Sequence, residues 1–178
     1  MPNNNLLNTF FNFSEDNHNQ MKIREYSESD KEGILLLHDE FEKEYFSEFY
    51  SNSERDRWEV DLHNVHSSYS KNKGKFWVID HNNEIIGMVG IVLLEDTIAE
   101  LKRMRVKSTY RGQGLGKKLL TTAENYCRGL GITEIVLSTA KRLKIARKLY
   151  ESNDYELYDQ KELLLPFRFT ILFYRKYL

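Results

Sequence analysis

The chain has 178 residues, 40% hydrophobic and 30% charged, with 26 Lys and Arg set against 27 Asp and Glu. That length suits one domain around a single core, and so even a balance gives no overall field to draw in nucleic acid or an anionic membrane. The lone cysteine, Cys127, excludes an internal disulfide and a cysteine-held metal and fits a cytoplasmic protein. No run reaches the ~18 apolar residues of a bilayer span, and no basic stretch followed by an apolar one reads as a secretory signal.

Residues 1–20 are rich in asparagine, lack Lys and Arg, and read as a disordered leader. Residues 21–178 read as one folded domain. Lys22 to Tyr26 is a strand candidate, and Ser27 to Asp30 supplies N-cap residues for a helix carrying Ile34, Leu37, His38, Phe41 and Tyr45 at helical spacing. A second helix is expected from about Ser53 to Tyr69, with Trp58, Leu62, Val65 and Tyr69 on one face. Phe76 to Asp80 and Ile85 to Leu94 form a hairpin across a His81–Glu84 turn, and Gly87 and Gly90 suggest a bulge or a close contact in its second strand. Ile98 to Val106 is the next strand. A glycine-rich loop follows, then a helix with a buried stripe through Leu119, Ala123 and Cys127, stopped by Gly131. A strand from Ile132 to Ser138, a helix from Leu143 to Glu151, and strands from Tyr155 to Leu165 and from Phe167 to Leu178 complete the chain. Antiparallel strands followed by a strand–helix–strand unit predict an α/β domain with a mixed sheet covered by helices.

The segment Arg111-Gly112-Gln113-Gly114-Leu115-Gly116-Lys117-Lys118 lies between a strand and an amphipathic helix. The first turn of that helix has free N–H groups at the positive end of its dipole, and glycines let an anion approach the backbone closely. A Walker A loop would need Gly at position 111 and Ser or Thr at 118; a dinucleotide fingerprint counted from Gly112 would need Gly at 117. Both fail, and Arg-x-x-Gly-x-Gly is the pattern that remains.

That pattern, with Leu101 to Val106 upstream and Ala146-x-x-Leu149-Tyr150-Glu151 downstream, resembles the GCN5-related N-acetyltransferases. A weaker similarity, from Asp61-Leu62 through Tyr69 to Phe76-Trp77-Val78 and Gly87-x-Val89-Gly90, resembles the branch of the camello-like and cysteine-conjugate acetyltransferases. The resemblance implies the family fold: a mostly antiparallel twisted sheet of about seven strands with a splayed pair and four flanking helices. It implies acetyl-CoA as cosubstrate, no metal, and direct transfer to a primary amine of a small molecule or peptide. Cofactor contacts are implied for the backbone of Met104, Arg105 and Val106 and for Arg111, Gly112, Gln113, Gly114, Leu115, Gly116 and Lys117.

The same resemblance makes Tyr150 the candidate general acid and Glu100 the candidate base, directly or through water. A tyrosine that only packs its helix and a solvent-facing strand-end carboxylate stand as the alternatives. Two departures from the family, Leu143 in place of a common Asn and Asp154 in place of a common Gly, motivate a second reading: a non-catalytic acyl-CoA-binding module. Asn153 or Asp154 is expected to take the left-handed conformation there.

His63 and His66 share a predicted helix face but have no evident third ligand. Phe167, Phe169, Phe173 and Tyr174 read as one strand face, packed in the core or against a second copy, so a monomer and a homodimer both stand. Nine acidic residues between Asp39 and Asp61, opposed by Lys43, Arg55 and Arg57, are either a solvated helix surface or a field that draws in a cationic acceptor.

Overall fold

The computed structural model describes residues 21–47, 60–163 and 169–178. The expected leader and Trp58 lie outside those residues. The strands are β1 (Lys22–Glu25), β2 (Lys75–His81), β3 (Glu84–Leu93), β4 (Ile98–Val106), β5 (Glu134–Ala140), β6 (Glu156–Leu163) and β7 (Phe169–Tyr177). The helices are α1 (Lys31–Phe46), α2 (Val60–His63), α3 (Val65–Tyr69), α4 (Leu115–Gly129) and α5 (Lys144–Glu151). One sheet runs in the order β1-β2-β3-β4-β5-β7-β6. Of its pairs only β4–β5 is parallel, because α4 carries the chain across the sheet between them.

Local chemistry sets the turns. The β2–β3 hairpin closes on Asn82 and Asn83, both left-handed at φ 54° and 63°, with Asp80 accepting from the Asn83 N–H at 3.1 Å. Helix α4 ends as expected at Gly131, φ 76°, with the Ile132 N–H on the Cys127 carbonyl and the Gly131 N–H on that of Arg128. Asp154 takes the left-handed position after α5, at φ 66°.

The expected second helix is interrupted. Asn64, at φ −142° and ψ 64°, turns the chain out of the helix and accepts from the Ser67 N–H, starting a new one. The break leaves Leu62, Val65 and Tyr69 buried, as the periodicity requires, and puts His63 and His66 on separate helices. The last strand also differs from its reading. Leu172 and Tyr174 are buried on one face of β7, so Tyr174 lies opposite Phe169 and Phe173; Phe167 is outside the described residues.

Two apolar clusters sandwich the sheet. One joins Trp77, Ile79, Val89, Ala99 and Leu101 to the α4 stripe, with Tyr150 and Tyr174. The other joins Ile34, Leu37, Leu62, Val65 and Tyr69 to Phe76, Val78 and Met88 on the opposite face. Gly90 is a close contact. A Cβ there would lie 2.3 Å from Cε1 of Tyr69 and 2.9 Å from Cδ2 of Phe76. The bulge expected in β3 lies at Ile86, beside Gly87, where the register against β2 shifts between Ile79 and Asp80, and a second bulge falls on β4, where Arg103 and Met104 both stand opposite Val89.

Gly90→Ala therefore forces two buried rings apart. A loss of about 1–3 kcal/mol in unfolding free energy is expected, although alanine normally suits a strand better than glycine. Denaturant unfolding measures it, and an unchanged midpoint would contradict the packing described.

Candidate active site

The site forms where β4 and β5 part. They pair only from Ile98 with Glu134 to Glu100 with Val136, and from Leu101 onward β4 has no partner on β5. Beyond the fork a cavity of about 260 Å³ runs between the free edge of β4, the glycine loop and α5. Met104, Val106, Leu115, Leu143, Ala146 and Leu149 make it largely apolar, and Phe41 and Tyr45 of α1 close one side.

At one end lies the start of α4. Gly112 and Gly114 are left-handed, at φ 78° and 77°, and a Cβ at either would meet nothing within 4 Å. Their need for glycine is therefore conformational. The first helical bond runs from the Lys118 N–H to the Gly114 carbonyl, so the N–H groups of Leu115, Gly116 and Lys117 precede the helical ladder. Leu115 anchors this turn in the core, whereas Gln113 and Lys117 are exposed. Gly116 has a packing reason: a Cβ there would come within 3.2 Å of Leu149 on α5.

Arg111 also lines the cavity, with its guanidinium engaged on α1 and β4. Its guanidinium grips Glu44 at 2.5 and 2.7 Å, donates to Tyr45 Oη at 3.0 Å, and through Nε reaches the Val106 carbonyl at 3.0 Å. Hydrogen bonds to Arg111, working against burial, hold the Glu44 carboxyl below its ordinary range. Arg142, on the loop before α5, donates to the Tyr45 carbonyl at 2.9 Å. The last turn of α1 is thus tied to both banks of the cleft, a role no sequence pattern had indicated.

The acidic bias around α1 resolves into pairs. Asp39 meets Lys43, Glu40 meets Lys107, Glu42 meets Arg105, Glu44 meets Arg111 and Asp61 meets Arg103. Glu48, Glu54, Asp56 and Glu59 lie outside the described residues. The Asp39–Lys43 pair lies within α1, and the other four bind α1 and α2 to β4 and the loop after it.

Tyr150 is 4% exposed, with its ring 5.8 Å from that of Tyr155 and 6.1 Å from that of Tyr174. Burial pushes its phenol up to about 12, against the opposing field of Arg105. It follows Leu149, which lines the cleft, but does not line the cavity itself. Glu100 occupies the last paired position before the fork, 27% exposed and 3.5 Å from Lys102. Arg105 extends to the α1 side, its guanidinium 3.7 Å from the centre of the Phe41 ring; burial, and then the field of Arg103, pull its pKa down to about 10. Cys127 is buried, and burial pushes its thiol up to about 12, far from nucleophilic use.

Comparison with known proteins gives the same fold. The chain is 30% identical over 114 residues to N-acetyltransferase 8F1 of Rattus norvegicus, covering 61% of this chain and 52% of that protein. It is 34% identical over 102 residues to the uncharacterized N-acetyltransferase YjgM of Escherichia coli K12, covering 56% and 61%. The chain spans about half to three-fifths of the length of these curated relatives. A solved GNAT-family acetyltransferase from Staphylococcus aureus Mu50 superposes with a TM-score of 0.75 at 27% identity, over 89% of this chain and 99% of that one. The PaiA N-acetyltransferase of Thermoplasma acidophilum, solved with coenzyme A, superposes at 0.71 and 22% identity over 89% and 99%. Residues 34–155 match the acetyltransferase (GNAT) family as a whole. The chain belongs to that family.

Proposed function

We propose that the protein transfers an acetyl group from acetyl-CoA to a primary amine by direct attack. The observation that carries this reading is the joining of an unpaired strand edge to an anion cradle through one apolar cleft. Three consecutive N–H groups precede the ladder of α4, left-handed glycines leave them uncovered, and Lys117 adds positive charge. That cradle suits a pyrophosphate. The unpaired edge of β4 suits the amide groups of a pantetheine arm, which can hydrogen-bond to it as an added strand would. Relatives solved with coenzyme A or acetyl-CoA share the fold. The residues present therefore fit the cosubstrate.

Acetyl-CoA supplies an acyl carbon activated as a thioester, with a thiol as leaving group. In the transfer, the N–C bond forms, the C–S bond breaks, one proton leaves the amine and one reaches the sulfur. Glu100, at the fork, takes the amine proton directly or through a water molecule. The Met104 N–H faces the oxygen on which negative charge develops. Tyr150 donates to the sulfur; because burial raises its phenol to about 12, it holds its proton throughout the neutral range. Leu143, 9% exposed at the start of α5, gives an apolar contact in the cleft. That apolar contact, together with the absence of Tyr150 from the cavity lining, favours the second reading, a module that binds acyl-CoA without turnover.

Thiol release with a panel of amines separates the two readings: release supports the enzyme, and binding without release supports the module. Gly114→Val places a β-branched residue in a left-handed position, and acetyl-CoA binding should weaken at least about tenfold by calorimetry. Tyr150→Phe should lower kcat by about 10²-fold with little change in KM for acetyl-CoA. An unchanged kcat would remove Tyr150 as the acid. Because the phenol holds its proton, kcat should show no alkaline fall between roughly pH 7 and 10; a fall in that window would point to a different acid.

A further inference from the structure

Strand β4 changes phase halfway along its length. Ala99 and Leu101 face the core under α4. Strict alternation would send Arg103 and Arg105 into that core and turn Met104 and Val106 away from it. The bulge reverses the order. Met104 and Val106 pack on the α4 side and line the cleft, while Arg103 pairs with Asp61 and Arg105 lies against Phe41. The reversal turns on Arg103, which is left-handed at φ 55° and stands with Met104 opposite the single residue Val89 of β3. A residue with a Cβ keeps that conformation only where its surroundings hold it.

Those surroundings are specific. Arg103 Nε donates to Asp61 Oδ2 at 3.0 Å, and Nη2 donates to Oδ1 of the same carboxylate. The Tyr69 hydroxyl donates to Oδ2 at 2.5 Å. Burial alone would raise the Asp61 carboxyl, but the hydrogen bonds from Arg103, its charge and the Tyr69 hydroxyl outweigh burial and hold the carboxyl below its usual range. Tyr69 reaches this point because its ring passes over Gly90, the partner of Lys102, one residue before the bulge.

We infer that Asp61, fixed by Tyr69, is a positioning residue: it holds Arg103 left-handed and so sets the phase in which Met104 and Val106 face the cofactor cleft. The inference rests on reading that cleft as the acetyl-CoA site. Asp61 touches no reacting atom and acts through the backbone at Arg103.

Glycine takes the left-handed conformation without a clamp, and valine resists it, which gives a direct test. Asp61→Asn and Arg103→Val should each lower kcat/KM for acetyl-CoA by about tenfold or more, and Arg103→Gly should stay within about threefold of the parent. The double variant Asp61→Asn/Arg103→Gly should recover to the level of Arg103→Gly. A salt bridge that served stability alone would lower the melting temperature without that rescue. The amide-to-Hα coupling of residue 103, read by NMR, should move to its extended value in Asp61→Asn, and this readout does not depend on turnover. Should the parent protein bind no acetyl-CoA by calorimetry, the acetyl-CoA reading fails and the coupling still decides the clamp. An unchanged coupling in Asp61→Asn, or an Arg103→Gly variant as weak as Arg103→Val, would overturn the inference.

Discussion

The separation of β4 from β5 after Glu100 is the constraint on which the site depends. A strand pair that stayed closed would satisfy its backbone internally and leave no edge for a ligand. Here β7 takes the far edge of β5 along its whole length, so β5 stays in the sheet while β4 runs free. The free edge must still present apolar side chains to the cleft, and simple alternation would present two arginines. One left-handed residue at position 103 corrects the phase at the point where the chain enters the site. The fork and the phase change together bring a backbone edge, an apolar wall and the start of α4 into one groove.

Charge pairing fixes the rest of the frame. The last turn of α1 is held by Arg111 from the glycine loop and by Arg142 from the loop before α5. The Arg111–Glu44 contact is two-pronged, the geometry in which an ion pair contributes most. The guanidinium also caps the Val106 carbonyl, so one side chain joins the end of β4, the glycine loop and α1.

Much of the fold was legible in the sequence. The strand periodicities, the Gly131 stop and the glycine pattern from Gly112 to Gly116 each follow from local rules, and the structure repeats them. The break at Asn64 was not legible, because Leu62, Val65 and Tyr69 keep helical spacing across it and only the backbone reveals the interruption. The reach of Arg111 was not legible either. An arginine beside a glycine loop invites an anion, and its actual partner, Glu44, lies 67 positions earlier in the chain. Composition likewise counts the acidic residues but does not see which are paired across the fold, as Glu40, Glu42, Glu44 and Asp61 are. Gly90 carried a signal of close approach, and the tyrosine that approaches it was visible only in three dimensions.

The central claim is that the cradle and the free strand edge form one site for acetyl-CoA. The most direct measurement is a calorimetric titration of the folded protein with acetyl-CoA, with CoA and NAD as comparisons. Saturable binding of acetyl-CoA at one site per chain, with no heat from NAD, is the predicted result. A folded sample that gives no heat with acetyl-CoA would contradict the claim.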